Sequence, residues 1–169
     1  MSTLVCPIRL DELFDMLHYG AECVAGGTDW IIKRHGKLRD DSVVIDLSRL
    51  KELKGISDDG DFIRVGALET MTAIHNSPIV RKYAAALSDA AYVMGSEQIR
   101  NRATIGGNVA NSSPAADTPG PLAALGAEAC VISAEGERLM KIEEVIGRNK
   151  NNLSGGEIIK EFIIPKDEK

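Results

Sequence analysis

Gln98-Ile99-Arg100-Asn101-Arg102-Ala103-Thr104-Ile105-Gly106-Gly107-Asn108-Val109-Ala110-Asn111-Ser112-Ser113-Pro114-Ala115-Ala116-Asp117 runs uncharged from Ala103 to Ala116. Within that uncharged part stand two glycines, two asparagines, two serines and a threonine among small apolar residues. Such a segment concentrates backbone N–H groups and neutral side-chain donors, the chemistry that holds an anion by hydrogen bonds. Glycine lets backbone approach a ligand closely and tolerates positive φ. Ala25-Gly26-Gly27-Thr28-Asp29 has the same character. Two such loops predict a ligand with two phosphates, or one pyrophosphate clamped from both sides.

Around these loops the apolar spacing sets out the elements. Leu10, Leu13, Phe14 and Leu17 recur at helical spacing and predict a helix over Pro7–Tyr19, stopped by Gly20. Cys23-Val24-Ala25 reads as a buried strand running into Gly26-Gly27, with Thr28 as N-cap of a helix to about Arg34. Ser42–Leu47 reads as another strand, and this order favours a small parallel sheet. Asp58-Asp59-Gly60-Asp61 is a turn between strands Leu53–Ser57 and Phe62–Ala67, an antiparallel hairpin. Helices follow from Thr70 to about Val93 with a break at Ser77-Pro78. Asp117-Thr118-Pro119 opens another. Strands Ala127–Ser133, Glu137–Ile142 and Ile158–Ile164 close the chain, and the composition shifts near Gly55.

The bulk numbers exclude several classes. The chain has 169 residues, one ordinary domain or two small lobes, with 44% hydrophobic but only 4% aromatic residues, so the core is aliphatic. A net charge of −5 argues against a nucleic-acid or anionic-membrane surface. Cys6, Cys23 and Cys130 lack the spacing of a zinc or iron–sulfur site, and an odd count fits a reducing cytoplasm. The N-terminus does not read as a secretory signal. No run approaches the ~20 apolar residues of a spanning helix.

The motifs in sequence order are Ala25-Gly26-Gly27-Thr28-Asp29; Val65-Gly66-Ala67 with Thr70; Gln98-Ile99-Arg100-Asn101; Ala103 to Asn108; Pro114 to Asp117; and Gly156-Glu157-Ile158-Ile159 through Ile164-Pro165. Together they resemble the FAD-binding medium subunit of molybdenum hydroxylases, the xanthine dehydrogenase and carbon monoxide dehydrogenase family. The resemblance implies an α+β, two-lobed FAD-binding fold of the vanillyl-alcohol-oxidase (PCMH) type, with a small parallel-sheet lobe and a larger mixed or antiparallel lobe. The expected lobes are 1–54 and 55–169, without the family's further C-terminal domain. It implies FAD between the lobes, fed by an iron–sulfur subunit and a molybdopterin subunit, with NAD⁺ or another acceptor taking the electrons. Two other readings stand beside this one: a truncated non-catalytic assembly module, and a stand-alone flavin oxidoreductase of the same fold.

On this reading Val24, Ala25, Gly26, Gly27, Thr28, Asp29 and Trp30 form the first cofactor loop, where a strand-to-helix turn favours phosphate. The bland alternative is a tight turn with a Thr cap, and for Trp30 a place in the core. Thr104, Gly106, Gly107 and Asn108 would cradle the pyrophosphate through backbone N–H and hydroxyl donors, as neutral dipoles can. The competing reading is a hairpin turn. Asn111, Ser113 and Asp117 are candidates for ribityl and ribose hydroxyls, with helix capping as the alternative for Asp117. Ile105 and Ala110 are candidates to flank the isoalloxazine, and the resemblance sets Ile159 and Lys160 beside the adenine. Arg100 and Arg102 read as structural or partner contacts, and His18, His35 and His75 as structural or solvated. No catalytic side chain and no metal site are expected, because the cofactor carries the chemistry.

Overall fold

The computed structural model describes residues 3–17, 21–34, 42–148 and 150–166. Tyr19 and Gly20, expected at the end of the first helix, and His18 and His35 lie outside these residues. The first lobe carries β1 (Thr3–Val5), α1 (Leu10–Leu17), β2 (Glu22–Val24), α2 (Trp30–Arg34) and β3 (Val43–Asp46). Its three strands are parallel in the order β1-β3-β2, with Leu4 opposite Val44 and Cys23 opposite Ile45. Glu12 accepts the Ile8 N–H at 3.0 Å, ahead of α1, and Leu13 is fully buried on its inner face. After β3 the chain makes two short 3₁₀ turns, Leu47–Arg49 and Lys51–Leu53. Leu47, Leu50 and Leu53 repeat every third residue, the 3₁₀ period, and all three are buried. Leu53 thus belongs to a turn rather than to the strand expected from it.

The second lobe is built on β4 (Ile56–Asp59), β5 (Phe62–Gly66), β6 (Glu128–Ser133), β7 (Gly136–Lys141) and β8 (Ile158–Pro165). All are antiparallel, in the order β4-β5-β8-β6-β7, so the last strand sits at the centre. Helices α3 (Met71–Asn76), α4 (Pro78–Tyr83), α5 (Ala85–Val93), α6 (Glu97–Arg100), α7 (Ile105–Ala110), α8 (Pro119–Ala124) and α9 (Ile142–Val145) complete it. Thr70 caps α3 and Ser77 caps α4, where Pro78 supplies the preset φ of a first helical turn. The molecule is therefore α+β.

Strand alternation divides β6 between two cores. Ala129 and Val131 pack with Phe162, Ile63 and the helices, while Cys130 and Ile132 join Leu13, Ile45 and Leu50 of the first lobe. One sheet thus serves as the floor for both lobes. At its centre Cys130 pairs with Glu161 but Val131 pairs with Ile159, so Lys160 is the extra residue of a β-bulge.

Candidate functional site

The loop leaving β2 turns through Gly27 at φ +77°, a conformation that favours glycine. Gly26 is fixed by packing: a Cβ there would lie 2.0 Å from the Arg102 carbonyl oxygen, across the junction of the lobes. Helix α2 begins at Trp30, so Thr28 lies in the turn before it rather than at its cap. Among the described residues, the backbone N–H groups of Gly26, Gly27, Thr28 and Asp29 have no acceptor. They form a set of unused donors at one place.

The second loop differs from its sequence reading. Residues 105–110 are a helix, α7, not a hairpin turn, and Thr104 is its N-cap, accepting the Gly107 N–H at 3.2 Å. The Ile105 N–H donates to the Glu69 carbonyl at 3.0 Å, Gly106 to Ala67 at 2.9 Å and Asn108 to Thr104 at 2.9 Å. Of the backbone donors expected to cradle a pyrophosphate here, those of Gly106, Gly107 and Asn108 are already used within the chain, and only the Thr104 N–H has no acceptor among the described residues. Beside that one N–H, what remains is side-chain chemistry. The Asn108 Oδ1 accepts from the Thr118 N–H at 3.1 Å and the Thr118 hydroxyl at 2.6 Å, which fixes the amide and leaves its NH₂ group free among the described residues. The Thr104 hydroxyl accepts from Gly107 and keeps its own proton to donate.

These two loops face each other across a cleft of about 860 Å³. Small-molecule and cofactor sites span roughly 300–1,000 Å³. Its walls include Val24, Ala25, Gly26, Gly27, Thr28, Asp29 and Trp30 from the first lobe. The second lobe contributes Thr104, Gly106, Gly107, Asn108, Ala110, Asn111, Ser113, Asp117 and Ile159. Gly107 is exposed, with only the Thr104 hydroxyl oxygen near its Cβ position at 2.9 Å, whereas a Cβ on Gly106 would meet Ala67 at 2.7 Å. Gly107 therefore leaves room in the cleft and Gly106 serves packing. Asp117 is exposed in the wall and makes no hydrogen bond among the described residues; the N-cap of α8 is Thr118, so Asp117 is not the cap of that helix.

Two candidates lie elsewhere. Ile105 is fully buried in the larger core, and the bulged Lys160 pairs with Glu137 at 2.6 Å while its carbonyl accepts the Ala67 N–H. Trp30 donates its indole N–H to Glu22 at 3.1 Å, half-buried at the edge of the wall. Arg100 holds the turn at Met94 and Gly95 by donating to both carbonyls, at 3.1 and 2.9 Å. His75 stacks on Tyr92 with ring centroids 4.7 Å apart, outside the cleft wall. Sequence reasoning missed Lys33, Leu68, Met94, Ile99, Asn151 and Leu153, all in the wall. Only Lys33 carried a signal, since it lies one helical turn beyond Asp29.

The wall holds few reactive groups. Burial pushes the Cys23 thiol up to about 11. Glu157 is held below the usual carboxylate range by its hydrogen bond to Arg138. No group of acidic, histidine or cysteine side chains able to hold a metal exists among the described residues. The arrangement can bind an extended, phosphate-bearing ligand.

The chain spans a little over half the length of the curated relatives it matches. It is 38% identical over 168 residues to the nicotinate dehydrogenase FAD-subunit of Eubacterium barkeri, covering 95% of this chain and 57% of that protein. It is 29% identical over 154 residues to the carbon monoxide dehydrogenase medium chain of Hydrogenophaga pseudoflava, covering 90% and 54%. The crystal structure of quinoline 2-oxidoreductase from Pseudomonas putida 86 matches with a TM-score of 0.93 at 27% identity, covering 99% of this chain and 60% of that one. The family model for the FAD binding domain in molybdopterin dehydrogenase matches residues 1–167. By sequence and by fold, the chain belongs to that family of FAD-binding domains.

Proposed function

We propose that the cleft holds FAD and that the chain is part of an FAD-dependent oxidoreductase subunit of the molybdenum hydroxylase type. The observation that carries this reading is the set of unused N–H donors at Gly26, Gly27, Thr28 and Asp29, facing the Asn108 amide and the unbonded Asp117 carboxylate across one cleft. The donors fit a diphosphate, and a carboxylate fits a ribose diol. In this reading residues 1–54 and 55–169 are the two lobes that enclose the cofactor.

The backbone of Gly26 to Asp29 and the Thr104 hydroxyl would bind the diphosphate. Asp117 would accept from a ribose diol, with Ser113 beside it. Val24, Ala25, Ala110 and Ile159 would exclude water from the rings. Bound there, FAD supplies the electron transfer that the chain's own side chains lack. Within the whole protein, electrons come from an iron–sulfur subunit fed by a molybdopterin subunit and leave to NAD⁺ or another acceptor. The relatives' names, an FAD-subunit and a medium chain, support a place in a multi-subunit assembly, and the name of one solved relative includes a molybdenum cofactor. The three free cysteines fit a reducing, cytoplasmic setting.

The test is to purify the assembly that contains this chain and reduce it anaerobically. Bleached flavin absorption that returns on adding NAD⁺ supports the full reading. Flavin that stays bleached points to a different acceptor, and an assembly without flavin overturns the proposal.

A further inference from the structure

Lys33 brings a cation to the cleft wall. It lies on α2 one turn beyond Asp29, its N–H donating to the Asp29 carbonyl at 3.0 Å. Its side chain crosses the cleft to the second lobe, where the ammonium donates to the Asn111 Oδ1, 78 residues later in sequence. Asn111 is itself fixed. Its amide N–H donates to the Asp29 carboxylate at 2.8 Å, and its backbone N–H donates to the Gly107 carbonyl at 3.0 Å.

The charges in the wall show why this matters. Arg34 is bound to Glu22 at 2.7 Å and Glu157 to Arg138 at 2.8 Å, so these charges are matched. Among the described residues Lys33 has no carboxylate within ion-pair distance, and its one acceptor is a neutral amide. Lys150, also in the wall, has no hydrogen bond that fixes it among those residues. An ammonium has three donors, and Lys33 uses one. A lysine is a general phosphate ligand as a point charge, and one already held in place loses less side-chain freedom when the anion arrives.

We infer that Lys33 is the cationic contact for the diphosphate of the bound dinucleotide, and that Asn111 is the residue that positions it. The inference rests on the FAD reading above. Asn111 then serves the cofactor through Lys33, because its carbonyl and one of its two amide hydrogens are engaged within the chain.

The test measures FAD affinity of the chain by flavin fluorescence, at low and high salt, for the wild type, Lys33→Met and Lys33→Arg. Losing one hydrogen bond to a charged group weakens binding by roughly 10–100-fold. Lys33→Met is expected to lose that much at low salt and less at high salt, while Lys33→Arg stays within a few-fold of wild type. FAD binding by the wild type with an unchanged Lys33→Met overturns the inference and leaves the FAD reading intact. A loss that is the same at both salts and is not rescued by arginine assigns Lys33 a structural role and also overturns it. A folded wild type that binds no FAD overturns both.

Discussion

The Asn111 amide donates to the Asp29 carboxylate at 2.8 Å across 82 residues of sequence, and so ties the loop after β2 to the end of α7. The contact joins the two lobes at the cleft itself. Asn111→Ala removes both this bond and the one from Lys33, and is expected to cost about 1.5–3 kcal/mol, the range for hydrogen bonds to charged groups. Urea denaturation of the two proteins measures the difference; equal midpoints and slopes would show that the tie carries no stability.

The two glycine pairs predict opposite outcomes for one chemical change. Gly26→Ala places a Cβ against the Arg102 carbonyl, which is backbone and cannot step aside, so the lobes must separate and the protein is destabilised by several kcal/mol. Gly107→Ala meets the Thr104 hydroxyl oxygen at 2.9 Å, which must shift from its capping position, a cost that offsets the about 1 kcal/mol by which alanine is the better helix former. Its fold is expected to survive while its new methyl intrudes on the cleft and weakens FAD binding. Melting curves and FAD titrations of both variants check this. A stable Gly26→Ala would contradict the packing argument.

Acid should loosen the wall near β8. The Arg138 hydrogen bond holds the Glu157 carboxyl below its ordinary value of 4.5, and Glu157 also accepts the Ser154 N–H at 2.7 Å. A carboxyl with a lowered folded pKa adds stability that is complete above 4.5 and is lost as the pH falls through the folded value. The contribution is about 1 kcal/mol, because the Arg138 side of the pair is open to solvent and screened. Glu157→Gln is expected to be less stable near neutrality and to show a shallower loss below pH 4.5. Parallel acid profiles for both proteins would remove Glu157 from the explanation.

The thiols should separate by reactivity. Burial raises Cys23 and Cys130 to about 11, with the Glu137 carboxylate adding to the rise at Cys130, whereas Cys6 is exposed. Alkylation near neutral pH is expected to mark Cys6 first, with the other two at least about tenfold slower than an ordinary thiol. Mass spectrometry of a time course reads the order directly, and early labelling of Cys23 would contradict its burial.

Local chemistry was legible in the sequence. The Asp58–Asp61 turn specifies its hairpin through adjacent residues, and Ser77-Pro78 specifies the break between α3 and α4. The loop Gly26–Asp29 was legible as a donor set because its small residues and positive φ are properties of the loop itself. The place of β8 between β5 and β6 was not, since such pairing depends on partners about a hundred and about thirty residues away. Helix α7 was hidden because two glycines oppose a helix; the Thr104 cap and the fit of Gly106 against Ala67 override that propensity. The same helix consumes the N–H groups of Gly106, Gly107 and Asn108 that the sequence offered to a ligand. The bulge at Lys160 likewise depends on register, which no local pattern reports.

Titration of the folded chain with FAD shows whether this cleft takes the cofactor. Saturable binding of one FAD per chain is expected, with a perturbed visible flavin spectrum and weaker binding by Gly107→Ala. A chain shown to be folded by circular dichroism that leaves the flavin spectrum unchanged at every concentration would contradict it.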